Sequence, residues 1–592
     1  MVHREHMRQF PFPSFILFAA LAACAPRAIG TSAASATPSS GNALLTNAPL
    51  AVSDRVRQAL DRLTFGARPG DVAAVERVGL NEWIDRQLDP AGIPDPVADS
   101  VLNSLEITHK TAFELIADHP QANEFDMNFL QSQAKIASMR APDTTAPMSA
   151  VAQLQAMRAS VEDATERASL GVRLNQTRSA AARELPTSIL LRATISDRQL
   201  LEVMTVFWEN HFSVSADKMP NPFTLVDYDR AIRTHALGKF RDLLHAVATS
   251  PAMLFYLDNY QSAVDSLHPT VIEWRAEQRR AAHPPFGDTA LVRTLHRRRA
   301  GVNENYAREL MELHTLGVDG GYTQRDVQEV ARCLTGWTID NFQFGGTFSF
   351  DAARHDAGEK TVLGVRIPGG RGIEDGEQVL DILARHPSTA RFIATKLVVH
   401  FVSDSPPPAL VERVAQVYLH TDGDIREMMR AIVHSPEFNS RGAYRAKVKT
   451  PFELVASILR AMNAAPDTTP QSVQLVARLG QPVFGRPTPD GWPDQGAAWM
   501  NTGALMNRIN LGAQVAANQI RGVSIAGWKP RQPLSAMRAE QQVDGVIDAL
   551  LAGDGSPEVR RELLAVQSPP QTVQHIAEMA SIVIGSSDFQ RR

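Results

Sequence analysis

Cysteine is almost absent: the 592 residues hold two, Cys24 and Cys333. No disulfide framework can be built from them, so stability must come from a packed core. Neither charge is in excess, since 60 Lys and Arg face 64 Asp and Glu for a formal net charge of −4, and this near balance removes the electrostatic footprint of a general nucleic-acid binder. No glycine-rich phosphate loop follows a strand, because Gly345-Gly346 and Gly369-Gly370 lack that setting, and no Gly-x-Ser-x-Gly nucleophile elbow occurs. Nor does any apolar run reach the ~18–20 residues that span a bilayer. What is there, 44% hydrophobic and 21% charged residues, is the composition of a globular protein with a sizeable core.

At the amino terminus Arg4 and Arg8 precede a short apolar run, Phe15 to Ala23, which closes on Leu21-Ala22-Ala23-Cys24. This resembles a bacterial lipobox, which implies cleavage before Cys24 and acylation of that cysteine. A plain secretory signal with an incidental cysteine is the alternative; under either, the protein leaves the cytoplasm. The expectation is a membrane-anchored lipoprotein, at the outer membrane in a host that has one. Residues 24–50, rich in Ser, Thr, Ala and Pro, suit a flexible tether. The remainder, 51–592, reads as one large domain with a peripheral helical segment near 137–185 and a loop around Ala141–Pro147.

That domain is expected to be mainly α. Ser196 and Gln199 have capping-box spacing, and Leu200, Met204, Phe207 and His211 follow at helical spacing. Thr323 should cap a helix carrying Val327, Val330, Ala331 and Leu334, which Gly336 ends. Ser388 should open another, with Phe392, Ile393, Leu397 and Phe401 on its inner side. One segment breaks the pattern: Phe342, Phe344, Phe348 and Phe350 flank Gly345-Gly346-Thr347. A small β-hairpin pairing Phe344 with Phe348 and Phe342 with Phe350 would put all four on one face. Arg275, Arg279, Arg280, Arg293, Arg297, Arg298 and Arg299 read as an exposed basic loop. The Pro487–Trp499 stretch reads as an ordered loop that covers a cleft or packs a core.

The densest chemistry lies between residues 208 and 356. At about 100° per residue, Asn305, Arg308, Glu309, Glu312 and Leu316 share one helical face, and His314 falls among apolar residues on the other. Glu309-x-x-Glu312-x-His314 therefore cannot supply three ligands from one helix. Two facing carboxylates can separate in pKa and do acid–base work, or simply join an ion network. The candidate catalytic residues are Asp258, Glu304, Glu309, Glu312, His355 and Asp356. Trp208, Asn210, Asn303, Asn305, Arg308 and Trp337 are candidates for substrate binding, with His211 and His314 as supports. Cys333 is expected to be a buried structural thiol. No cofactor is expected. A divalent metal held by His211, His314, His355 and Asp356 is the alternative, although no close-spaced His-x-x-x-His or Cys-rich signature points to it.

Several runs of text together resemble the bacterial family called domain of unknown function 1800. They begin at Leu63-Thr64-Phe65-Gly66 and Trp83-Ile84 and become dense at Phe207-Trp208-Glu209-Asn210-His211-Phe212. His235 to Phe240, Pro251-Ala252-Met253 and Tyr256 to Asn259 follow. The strongest run is Asn303 to Gly317, followed by Gly321-Tyr322-Thr323 and Leu334-Thr335-Gly336-Trp337. His355-Asp356, Lys360, Phe401-Val402, Lys449-Thr450-Pro451 and Gly491-Trp492-Pro493 complete the match. The resemblance implies a largely helical, exported bacterial protein, often encoded near another exported protein. From the residues, the leading expectation is an envelope hydrolase acting on a glycan or other polymer by carboxylate and His acid–base chemistry. The competing one is a non-enzymatic assembly or binding lipoprotein. Partners would be an envelope polymer or an exported protein, and the membrane through acylated Cys24.

Overall fold

In a computed structural model of the chain, residues 48–119, 164–266, 268–282, 301–341, 345–528, 530 and 534–592 are described, all within the larger of two units, Leu44–Arg592. The leader, most of the tether, the Ala141–Pro147 loop, Phe342, Phe344 and the arginines from 293 to 299 lie outside the described residues. The architecture is mainly α with small β-hairpins. Strand β1 (Trp337–Asp340) pairs antiparallel with β2 (Thr347–Phe350). A second hairpin joins β3 (Lys360–Val362) to β4 (Val365–Ile367) and was not foreseen. No helix among the described residues is long and apolar enough to cross a membrane.

Local chemistry explains most helix boundaries. The Thr323 hydroxyl accepts from Asp326 N while Asp326 accepts from Thr323 N at 2.9 Å, and this capping box starts the Gln324–Cys333 helix. Val327, Val330, Ala331 and Leu334 are buried from that helix and its end. Gly336 then turns the chain at φ 77°, where a Cβ would stand 2.5 Å from the Asp351 carbonyl oxygen. The Pro387–Phe401 helix begins just before Ser388, because the His386 ring accepts from Ser388 N at 3.1 Å. Ile393, Leu397 and Phe401 are buried, and Phe392 is half-buried.

Four expectations need correction. Ser196 and Gln199 form no capping box: the Ser196 hydroxyl donates to buried Asp95, and the Gln199 amide reaches back to the Ala193 and Ser196 carbonyls. A buried carboxylate is the stronger acceptor, so the serine is drawn away. The first hairpin has another register, with Trp337 opposite Phe350 and Ile339 opposite Phe348; the strand forms from Trp337-Thr338-Ile339, aromatic and β-branched, which suit a pleated half-buried surface. Arg275, Arg279 and Arg280 lie on a helix, Val271–Ala282, not a loop. Finally, the helix that begins at Glu304 stops at Glu312. His314 N donates to Glu309 O and Leu316 N to Met311 O, wide five-residue turns that swing the chain off the axis. Both His314 and Leu316 are buried, so the shared face with Glu309 and Glu312 ends before Leu316.

One contiguous apolar core runs from Ala59 to Phe589, each fully buried large side chain contributing ~1.5–3 kcal/mol. Cys333 sits inside it as a free thiol pushed upward in pKa by burial. Bridges Pro49 to Ser440 and Val448 to Arg591 bring distant segments to either end of the 440–450 stretch. The same packing frames a cavity.

Candidate functional site

Asn210 is the penultimate residue of the Gln199–His211 helix, and its side-chain amide holds the 487–499 loop. Trp492 N donates to Asn210 Oδ1 at 2.6 Å, and Asn210 Nδ2 donates to Trp492 O at 2.9 Å. Gly491 makes this approach feasible: at φ 75° a Cβ would stand 2.2 Å from the Asn210 carbonyl oxygen. Beneath the loop lies a cavity of about 170 Å³. Its walls take Phe207, Asn210 and His211 from the helix, and Lys396 and His400, one turn apart, from the Pro387–Phe401 helix. Thr450 and Glu453 come from the start of the Pro451–Ala461 helix, Phe65 from an earlier loop, and Asp490, Trp492, Pro493 and Asp494 from the covering loop. Four of the runs that carry the family resemblance therefore meet at one place. On the other side of the Asn210–Trp492 clamp is a smaller, mainly apolar cavity of about 50 Å³ that includes Val214, Phe452, Phe484 and Glu209.

Charges in the larger cavity are mostly matched. His400 Nδ1 lies 3.1 and 3.2 Å from the two Asp494 carboxylate oxygens. Burial would raise the Asp494 carboxyl, but His400, Lys447 and Arg592 outweigh it and hold the group well below the usual carboxylate range. Lys447, fully buried, also donates to Asp494 O at 2.7 Å. Arg592 pairs with Glu453 at 2.6 Å, whose other oxygen accepts from Thr450 N at 2.8 Å. Arg486 makes two bonds to Asp490 and lies over the Trp492 ring, 5.4 Å from its centroid. Lys396 differs: among the described residues it has no ion pair or hydrogen bond, and its ammonium lies 5.8 Å from the Phe392 ring. Burial lowers its pKa, opposed by Asp494 and Asp490.

Two histidines pack beside this chemistry without charge. His211 Nε2 lies 3.1 Å from the His314 carbonyl oxygen, which places the ring proton on Nε2 and leaves Nδ1 bare. Nδ1 has no partner among the described residues. Burial pushes both pKa values down, His314 to about 3 and His211 well below its ordinary value, with Lys396 adding to each effect. Glu209 is the mirror case in the smaller cavity. Burial and then the Asp229 carboxylate raise it well above the usual range, while Arg233 and Arg192 overcome burial at Asp229 and keep that group ionised.

Of the residues singled out from sequence, Asn210 and His211 line the cavity and His314 backs it. The others lie elsewhere. His355 and Asp356 are 0% exposed and line neither cavity: His355 lies between the Thr335 carbonyl and Asp375, and Asp356 takes a two-pronged bond from Arg332 at 2.7 and 3.2 Å. Lys360 closes this ion-paired cluster on Asp375. Asp258 is exposed, in left-handed backbone at φ 61°. Glu304 and Arg308 both bond Gln324, and Glu312 accepts from Tyr322 at 2.9 Å. Glu309 is raised by burial and then by Glu312, and it also feels Asp490 on the cavity rim. Asn303 is the cap of its helix and Asn305 is exposed beside it. Trp208 and Trp337 are core residues, the former donating to Ala236 O. The four proposed metal ligands thus fall into two places, His211 beside His314 and His355 beside Asp356, and no group of three or more His, Cys, Asp or Glu among the described residues is arranged to hold a metal.

Sequence reasoning passed over Lys396, His400, Glu453, Asp494 and Arg592. The signal was there in part, since Lys396 and His400 are four residues apart on one helical face, His400 adjoins Phe401-Val402, and Asp494 follows Gly491-Trp492-Pro493. No curated protein and no solved structure matches the chain. A family model described as "Protein of unknown function (DUF1800)" matches residues 58–591, which include every segment that lines the cavity, and the chain belongs to that family.

Proposed function

We propose that this is an exported, lipid-anchored cell-envelope hydrolase that acts on a glycan or other polymer, with His400 and Asp494 as its acid–base pair. The observation that supports the reading is the company in one cavity: a His–Asp pair, a lysine and a half-buried tryptophan, a mixture suited to orienting a polar substrate and moving its protons. Asp494 accepts from His400 Nδ1 and so leaves the lone pair on Nε2, whose contact with Arg592 is 3.5 Å. A water that replaces that contact can give its proton to Nε2 as its oxygen attacks. The proton then passes to the oxygen of the leaving group as the bond to it breaks, and Asp494 stabilises the intervening imidazolium. Export and anchoring rest on Leu21-Ala22-Ala23-Cys24.

The test is a screen of the purified protein on envelope polysaccharides, read as release of reducing ends. His400→Gln should lower kcat by about 10²–10⁴-fold with an unchanged unfolding midpoint. No release from any polymer, or full activity in the folded variant, removes the reading. A second reading, a non-enzymatic assembly or binding lipoprotein, draws support from Met500, Leu505, Met506 and Ile509, large apolar side chains exposed at the Thr502–Ala516 helix. The ion-paired surroundings of His355 and Asp356 favour it too, and it gains ground if the folded protein is inactive throughout the screen.

A further inference from the structure

We propose that the cavity beneath Trp492 binds a carboxylate-bearing sugar, a uronate unit of an acidic glycan, with Lys396 as the counter-ion of the carboxylate. The inference rests on the hydrolase reading for the place of the site and adds its substrate class. It begins from the charges. Asp494 bonds His400 and has Lys447 at 3.8 Å, which lies closer to Asp404 at 2.5 Å, while Glu453 pairs with Arg592 and Asp490 with Arg486. Lys396 is a cation on the cavity wall that makes no direct ion pair or hydrogen bond among the described residues. Lys396 is half-buried, and a ligand carboxylate supplies the counter-charge that its ammonium lacks. The downward pull of burial on Lys396 is the same imbalance seen from the proton's side.

Two further features describe the bearer of the carboxylate, and the second favours a sugar over a peptide. His211 is 2% exposed, lines the cavity, and has its bare Nδ1 without a partner among the described residues. A bare imidazole nitrogen accepts a hydrogen bond, so the site calls for a donor beside the carboxylate, a sugar hydroxyl or an amide N–H alike. Trp492 offers an aromatic surface on the cavity wall, and amphipathic rings of that kind hold ligands with one apolar and one polar side. The volume, about 170 Å³, is below the usual range for drug-sized ligands and suits a single ring or chain end.

The experiment is titration calorimetry of the intact protein in detergent with glucuronate, glucose and N-acetylalanine. Glucuronate should bind saturably and about tenfold or more tighter than glucose, a preference that Lys396→Met abolishes and Lys396→Arg retains. Thermal unfolding confirms that each variant is folded. The proposal is overturned if glucuronate binds no better than glucose, if the preference survives Lys396→Met, or if N-acetylalanine binds more tightly than glucuronate. Because binding is read without turnover, the two readings fail separately. A Lys396-dependent preference in a protein that hydrolyses no polymer would strike the hydrolase reading alone, whereas turnover of a neutral polysaccharide untouched by Lys396→Met would strike this one alone.

Discussion

His211 and His314 are neutral because they are buried, and at the residue scale that neutrality carries a pH signature. A histidine whose pKa is lowered in the folded state contributes stability that is fully present above its unfolded value of ~6.5 and is lost as pH falls toward the folded value. For His314 that value is about 3, so the unfolded chain binds the extra proton throughout the window between. From pH 7 to pH 5 the loss from one such residue amounts to about 2 kcal/mol. His314→Leu should flatten the fall in stability by that amount, seen in urea unfolding at the two pH values; equal slopes for variant and parent would refute it. Asp356 is buried with a partner. Arg332 meets it in the core with two bonds and its backbone N is tied to Thr335, and breaking such a buried pair typically costs ~3–5 kcal/mol. A residue in that position holds the fold together at the second hairpin.

The element that matters most for the site is the 487–499 loop. It makes no strand or long helix, and its placement depends on Asn210, on Tyr256, whose hydroxyl donates to Pro487 O at 2.9 Å, and on Lys447. Gly491→Ala tests this directly. A methyl group at 2.2 Å from the Asn210 carbonyl cannot be accommodated, since the obstacle is backbone, and φ 75° is itself unfavourable for alanine. The loop should lift, breaking both Asn210–Trp492 bonds at a cost of about 2 kcal/mol or more. Faster amide exchange from Trp492 to Asp494 is the expected result, together with loss of whatever activity the cavity supports. Unchanged exchange and an unchanged unfolding midpoint would show that the clamp does not position the loop.

Over the whole molecule, the apolar core gathers residues from Ala59 to Phe589, and the cavity draws its walls from segments as far apart as Phe65 and Asp494. If Cys24 is the acylated residue, Cys24→Ser should abolish incorporation of labelled fatty acid and release or misprocess the protein, while the purified chain keeps its unfolding midpoint. Equal label in the serine variant would rule the lipobox out.

Composition and periodicity were enough to place the chain among mainly helical proteins, because apolar stripes such as Val327, Val330 and Leu334 and a capping box such as Thr323 with Asp326 are local. The runs of text from Leu63 to Pro493 were enough for the family. A helical wheel placed His314 among apolar residues, where it is buried, but failed at Leu316, where five-residue turns depart from the axis, and the hairpin register failed because the first strand forms from Trp337 to Asp340. The site was the least legible part. Polar residues crowded between 208 and 356 looked like a cleft, yet His355 and Asp356 had their partners in the core and Glu304 and Glu312 had theirs at the surface. Whether a carboxylate or imidazole is paired or left facing a cavity depends on residues far away in the chain. Lys396, His400, Glu453 and Asp494 share a cavity because three helices and a loop converge on it, and sequence spacing carries no record of that convergence.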